Sequence, residues 1–232
     1  MGKIILIRHG KASFGESDYD QLSKMGKYQA KVTGLYLKKA QIIPTAIYSG
    51  TMKRQQETAE IAKKYGLLSP SVQINPFFNE YDYQAIIDSH LDGLIASDPS
   101  VSTDLENAFN DIKTFRNVFS KLLERWVSGK YNIDGNETFN DYLQRINSGI
   151  HYIMQNQDEK DIALVFTSGG FISTSMHLIL GLQPLEALKL GWRIYNCSVT
   201  SFFCLNTDYQ LDAFNSAGHL EMDGTEGVLS YI

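Results

Sequence analysis

Four places in the sequence carry groups suited to binding and attacking a phosphate. Arg8 and His9 close a short apolar run, Ile4-Ile5-Leu6-Ile7, with Gly10 behind them. Arg54 follows a second apolar segment, Glu80 a third, and Ser168-Gly169-Gly170 a fourth. Guanidinium groups match phosphate oxygens through a planar fork. Glycines ahead of a helix let backbone N–H groups approach an anion. An imidazole in that company is a candidate nucleophile or acid/base, and a carboxyl group is a candidate proton donor to a leaving oxygen. Each piece also has a plainer reading. Arg8 and His9 could be a solvated strand end, Glu80 a helix-start carboxylate, and Ser168-Gly169-Gly170 an ordinary strand-to-helix turn. Their shared position speaks for chemistry, since parallel sheets take ligands outside the carboxyl ends of their strands.

The elements that must position them can be read from periodicity. The run at Ile4–Ile7 predicts a buried strand, and Ser23 a helix cap ahead of Met25, Tyr28, Val32, Leu35 and Tyr36. Ala46-Ile47-Tyr48 predicts a strand leading into a helix over Met52 to Tyr65, stopped by Gly66. Val72 to Ile74 reads as a third strand. From about Ala85 to Lys130 the pattern is helical only. There Thr103 and Glu106 form a candidate capping box ahead of Leu105, Phe109, Ile112, Phe115, Phe119, Leu122 and Trp126. This aromatic stripe reads as core, with a partner-binding face as the alternative. Gly135-Asn136-Glu137-Thr138 opens a helix bearing Phe139, Tyr142, Leu143, Ile146, Ile150 and Ile153 on one face. Ile162–Phe166 predicts another buried strand, followed by a helix over Phe171–Leu180. Cys197–Leu205 and Gln210–Asn215 predict a closing hairpin. Strand-helix-strand-helix order implies a parallel sheet with crossover helices. The expectation is one domain over 1–232, with about 85–134 inserted as a helical cap.

Composition narrows the function classes. The 232 residues carry a net charge of −5, with no basic patch suited to nucleic acid or a membrane surface. An anion site must then be built from individual Arg and Lys residues. Cys197 and Cys204 match no zinc spacing and read as buried packing in a reducing compartment. Four apolar residues before Arg8 are too few for a signal peptide, and no run reaches membrane-spanning length. The expectation is a soluble cytoplasmic protein, with a homodimer left open.

In this order the motifs resemble the histidine phosphatase superfamily, also called phosphoglycerate mutase-like, over most of the chain. Arg8-His9-Gly10 resembles its signature, and Leu22-Ser23 through Gly26, Gln29 and Ala30 its first-helix pattern. Ser49-Gly50-Thr51-Met52-Lys53-Arg54 with Thr58-Ala59, Asn79-Glu80, Gly135-Asn136-Glu137-Thr138 with Arg145, and Asn196–Val199 are similar to its later motifs. The resemblance implies a three-layer α/β/α fold with a mostly parallel central sheet and a helical cap. It also implies hydrolysis of a small phosphate monoester, without metal or cofactor, through a phosphohistidine on His9. Arg8 and Arg54 would hold phosphate oxygens, with Ser168 and Gly169 beside them, and Glu80 would donate and accept protons. Ser13 and Tyr81 are candidate substrate contacts, Tyr81 alternatively packing under the cap. Arg145 reads as a structural salt-bridge residue.

One position departs from the family. Ser168 stands where it has a second histidine, and a hydroxyl is a shorter donor that cannot be cationic. This leaves two alternatives to an active phosphatase. One is a phosphate-binding or regulatory protein with impaired catalysis. The other is a phosphoglycerate mutase-type phosphotransferase, for which the insertion offers Arg116 and Arg125 but no adjacent pair of arginines.

Overall fold

The computed structural model describes residues 2–13, 20–108, 111–205 and 208–231. Ile4 to Ile7 are buried without exception, because β1 (Gly2–Arg8) lies inside a six-stranded sheet covered on both faces. Its alternating residues serve two cores. Ile4 and Leu6 face one, Ile5 and Ile7 the other. Beside it run β2 (Ala46–Ser49), β3 (Val72–Ile74), β4 (Ile162–Thr167), β5 (Val199–Leu205) and β6 (Asp208–Ser216), in the order β3-β2-β4-β1-β5-β6. β1 to β4 pair in parallel, whereas β5 runs antiparallel to β1 and to β6. The sheet is therefore mixed and mostly parallel, and the ends of β1 and β4 coincide at the Arg8–Thr167 pair.

Helices α1 (Lys24–Lys39) and α2 (Lys53–Gly66) cover the Ile5/Ile7 face through Leu37, Ala59 and Ala62. The opposite face is covered by α6 (Phe139–Gln155) and α7 (Gly169–Leu180), through Tyr142, Ile146, Ile150, Phe171 and Ile172. Between β3 and α6 come α3 (Tyr83–Ser97), α4 (Ser100–Ala108) and α5 (Ile112–Ser128). The chain closes with α8 (Pro184–Leu190) and the short α9 (Gly218–Glu221). The aromatic stripe packs inward: Phe119, Leu122 and Trp126 are buried in the same core as α6 and α7. Phe115 and Phe119 also sit edge-on to Trp192. Phe109 lies outside the described residues.

Several local expectations are corrected. Thr103 is not a helix start: it lies inside α4, which already begins at Ser100, behind Asp98-Pro99, and α5 is capped by Asp111, whose carboxylate accepts the Lys113 and Thr114 N–H groups. Gly66 is the last residue of α2, and Leu67 takes the left-handed cap position at φ 54°. α7 starts two residues earlier than its apolar run, at Gly169. Leu35 points to solvent at 45% exposure, and Cys204 is only half-buried although Cys197 is fully so.

Candidate active site

The carboxyl ends of β1, β2 and β4 deliver most of the predicted groups to one place. His9 leaves β1 with its backbone N–H on the Thr167 carbonyl (2.8 Å), and Asn196 Nδ2 donates to the His9 carbonyl (3.2 Å). Its ring is buried and doubly oriented. Nδ1 lies 2.8 Å from the Gly10 carbonyl, which can only accept, so Nδ1 carries the proton. Arg54 Nε donates to Nε2 at 3.1 Å, so Nε2 presents a lone pair. Burial, then the Arg54 and Arg8 charges, hold the imidazole pKa well below the usual histidine range, against the opposing Gly10 bond.

The loop after His9 is held by a close backbone crossing. A Cβ on Gly10 would stand 2.4 Å from the Gly26 carbonyl oxygen, and one on Gly26 would stand 2.1 Å from the Lys11 oxygen. Only glycine fits either position. The Gly10 N–H donates to Thr58 Oγ1 (3.0 Å), which itself donates to the Arg54 carbonyl (2.6 Å). Thr58 thus ties the first turn of α2 to the histidine loop. Arg54 is 8% exposed, and its Nη1 meets Asp20 Oδ1 at 2.7 Å. Asp20 Oδ2 accepts the Lys53 N–H at the start of α2 (2.8 Å). Arg8 donates through Nη1 to the Ile194 carbonyl, and Gly169 lies against its guanidinium, where a Cβ would stand 3.4 Å from Arg8 Nε.

Glu80 arrives by a longer route. After β3, Asn75 caps a short 3-10 turn over Pro76–Phe78. Arg145, on α6, grips Glu137 through both oxygens (2.7 and 2.9 Å) and donates to the carbonyls of Pro76, Asn79 and Glu80. The salt-bridge expectation holds, and the pair also fixes the segment that carries Glu80. Glu80 Oε2 accepts the Gly170 N–H at the start of α7 (2.8 Å), and Oε1 accepts the Tyr142 hydroxyl (3.2 Å) and the Tyr81 N–H (3.2 Å). Burial raises the carboxyl pKa, opposed in turn by the Gly170 N–H, the Arg54 charge, the Tyr81 N–H and the Tyr142 hydroxyl. A Cβ at position 170 would stand 2.1 Å from Glu80 Oε1, so glycine makes room for the carboxylate.

Ser168 precedes α7 and is fully buried. Serine is a favoured helix cap, yet its hydroxyl takes no cap bond and instead meets Gln55 Nε2 at 2.8 Å. Tyr81 packs its ring on Trp126 (5.4 Å) and Tyr142 (5.6 Å). Ser13 is buried with its N–H on the Gln21 carbonyl (2.9 Å), and no hydrogen bond among the described residues joins it to His9, Glu80 or Ser168. The remaining histidines bond elsewhere or sit among the inserted helices: His151 to Asn147, His177 to Leu182, His219 to Thr33, with His90 in α3.

The structure therefore brings His9, Arg54, Arg8, Gly169, Gly170, Glu80 and Tyr81 into one connected cluster, with Ser168 joined to it through Gln55. Sequence reasoning did not single out Gln55, Asp20 or the hydroxyl of Tyr142. Tyr142 falls on the apolar face of α6, where periodicity reads it as core.

A family model described as "Histidine phosphatase superfamily (branch 1)" matches residues 4–217. Solved structures share the fold at low identity. A phosphoglycerate mutase from Bacillus anthracis superposes with a TM-score of 0.65 at 19% identity, over 96% of each chain. A mycobacterial glucosyl-3-phosphoglycerate phosphatase gives 0.62 at 19%, over 92% of this chain and 98% of that one. A phosphoserine phosphatase from Entamoeba histolytica, in complex with phosphoserine, gives 0.62 at 20%, over 95% and 100%. None of the curated protein sequences compared matches significantly. With a family model spanning nearly the whole chain and the fold shared with phosphatases and a mutase, this protein belongs to the histidine phosphatase superfamily.

Proposed function

We propose that this chain hydrolyses a small phosphate monoester through a phosphohistidine on His9. The observation that carries the reading is the His9 ring: a neutral imidazole whose Nε2 lone pair is turned toward Arg54 by a fixed Nδ1–H bond to Gly10. In the first step the Arg54 N–H passes from Nε2 to a phosphate oxygen, the freed Nε2 lone pair attacks phosphorus, and the bond to the leaving oxygen breaks. Glu80, protonated, gives that oxygen its proton. Arg8, Arg54 and the Gly169 N–H at the start of α7 hold the non-bridging oxygens, with Ser168 as a neutral donor. In the second step the Glu80 carboxylate takes a proton from water, water oxygen bonds to phosphorus, and the P–N bond breaks. Inorganic phosphate leaves, with His9 neutral and Glu80 protonated as at the start. The positive charge in this scheme comes from the arginines and the helix end, so a chelator is expected to leave it unaffected. Structural relatives solved as phosphoserine and glucosyl-3-phosphoglycerate phosphatases support a small organic phosphate as substrate.

The test is hydrolysis of a generic aryl phosphate in the presence of chelator, followed by a panel of phosphate monoesters. Turnover that survives chelation and disappears with His9→Ala is expected. A second reading, a phosphate-binding protein with little turnover, is favoured by Ser168, which offers a neutral hydroxyl where the resemblance leads one to expect an imidazole. Wild-type protein that binds inorganic phosphate but hydrolyses nothing across the panel would establish it instead.

A further inference from the structure

Gln55 is fully buried at the third position of α2, beside Arg54. A buried amide is costly unless its polar atoms are satisfied, and here each atom is. Oε1 accepts the Met52 N–H (3.4 Å). Nε2 donates to the Phe78 carbonyl (3.2 Å) and to Ser168 Oγ (2.8 Å). A Cβ on Gly50 would stand 2.0 Å from Oε1, so the preceding turn leaves space for this side chain. The three partners belong to three different strand exits: the one after β2, the one leading from β3 to Glu80, and the one between β4 and α7.

The polarity of this network is determined. A backbone carbonyl only accepts and a backbone N–H only donates. Phe78 and Met52 therefore fix which end of the amide is nitrogen. Both hydrogens of Nε2 are then committed, one to Phe78 and one to Ser168. Ser168 Oγ is an acceptor in that bond, and its own hydrogen is left to be donated elsewhere. Ser168 makes no cap bond to α7, and the Gly170 N–H is taken by Glu80. The hydroxyl stands directly before Gly169, which lies against Arg8, and Gly170, which binds Glu80.

Building on the phosphohistidine reading above, we propose that Gln55 is a positioning residue for phosphoryl transfer: it holds Ser168 Oγ as an acceptor so that the hydroxyl donates to the transferring phosphoryl group. The same amide occupies space beside position 168. An imidazole introduced there alone would meet Nε2, which already stands 2.8 Å from Oγ. Gln55 and Ser168 thus act as one unit, a neutral donor pair in place of a single charged ring.

The test is steady-state hydrolysis of an aryl phosphate by wild type, Gln55→Met, Gln55→Ala, Ser168→Ala and Gln55→Ala/Ser168→Ala. Gln55→Met keeps the volume and removes the amide, so it covers the case in which Gln55→Ala does not fold. Orthovanadate affinity, followed by intrinsic fluorescence, gives a readout independent of turnover. Each single variant is expected to lower kcat by about 100- to 1000-fold with KM little changed, the range for losing one donor that acts in the transition state. Vanadate binding should weaken by a similar factor in both Gln55 variants and in Ser168→Ala, and the double variant should be no worse than either single one. Ser168→His should recover less activity than Ser168→His/Gln55→Ala. Gln55→Met that is folded and keeps wild-type kcat and vanadate affinity overturns the proposal, and so do losses that multiply in the double variant. Ser168→His outperforming the double replacement would overturn the steric part. If the wild type neither hydrolyses the ester nor binds vanadate, the phosphatase reading falls and takes this inference with it; His9-dependent turnover indifferent to Gln55 removes this inference alone.

Discussion

The two flanks of the site solve opposite electrostatic problems. The flank built from β1 and α2 concentrates cations: Arg54 bonds the His9 ring, Arg8 lies close by, and together with burial they keep the imidazole neutral. The flank built from β4, α6 and α7 concentrates neutral donors around a carboxyl group: the Gly170 N–H, the Tyr142 hydroxyl and the Tyr81 N–H all point at Glu80. There burial outweighs the donors, and the carboxyl group holds its proton more strongly than usual. One environment pushes a base down and the other pushes an acid up. The lesson is that an imidazole held neutral and a carboxyl group held protonated, as the proposed reaction requires, can share one site when cations and burial are distributed unequally around them.

Removing the proposed nucleophile breaks the first flank outright. His9→Ala should reduce turnover of an aryl phosphate by about 10⁴-fold or more, the scale on which loss of a covalent nucleophile is felt. Steady-state assays at high enzyme concentration would measure it. On the second flank, Glu80→Gln keeps the acceptor for Gly170 but cannot donate a carboxyl proton. Alkyl phosphates, whose leaving groups need that proton, should slow by about 10²- to 10⁴-fold, and aryl phosphates with acidic phenols by less. Equal losses for both leaving groups would assign Glu80 another role.

The pH profile sharpens the same contrast. Attack needs His9 neutral, so kcat/KM should rise as pH increases through its lowered pKa. Proton donation needs Glu80 protonated, so kcat/KM should fall as pH increases through its raised pKa. The result is a bell-shaped profile, and the fall at higher pH should vanish in Glu80→Gln. A smaller effect is expected from Tyr142→Phe, which removes one donor to the Glu80 carboxylate. The carboxyl pKa should move further up, extending activity toward higher pH, while stability changes by about 1 kcal/mol. Linkage gives the least visible consequence. His9 is harder to protonate folded than unfolded, so the unfolded state binds more protons below about pH 6.5 and stability falls there as pH falls. In His9→Ala this contribution, at most ~1.4 kcal/mol per pH unit, should be missing from urea melts.

The first flank was largely legible in the sequence and the second only in part. Ile4–Ile7 ending in Arg8-His9-Gly10 is a strand with its chemistry at the tip, and both features lie within a few residues. Gly10 and Gly26 were visible as motif letters, but their reason, two backbones crossing too closely for a Cβ, exists only in three dimensions. Glu80 could be placed from its position after β3. Its surroundings could not, since they come from α6 and α7, some 60 and 90 residues later. Tyr142 obeys the apolar periodicity of α6, and its hydroxyl leaves no trace in that pattern. Gln55 sits in a polar first turn between Arg54 and Gln56, where an amide ordinarily faces water. The Thr103 expectation failed for a local reason. Asp98-Pro99-Ser100 supplies an earlier helix start, and Ser100 donates to the Asp98 side chain.

The most direct test of the account is to trap the intermediate. Wild-type protein mixed with a phosphate monoester, quenched in alkali to preserve the acid-labile P–N bond, and digested for mass spectrometry should carry phosphate on the peptide containing His9. Glu80→Gln, unable to take the proton from the attacking water in the second step, should carry more of it whenever the ester has a good leaving group. Turnover with no phosphate on His9 under these conditions, and with His9→Ala still active, would contradict the central claim.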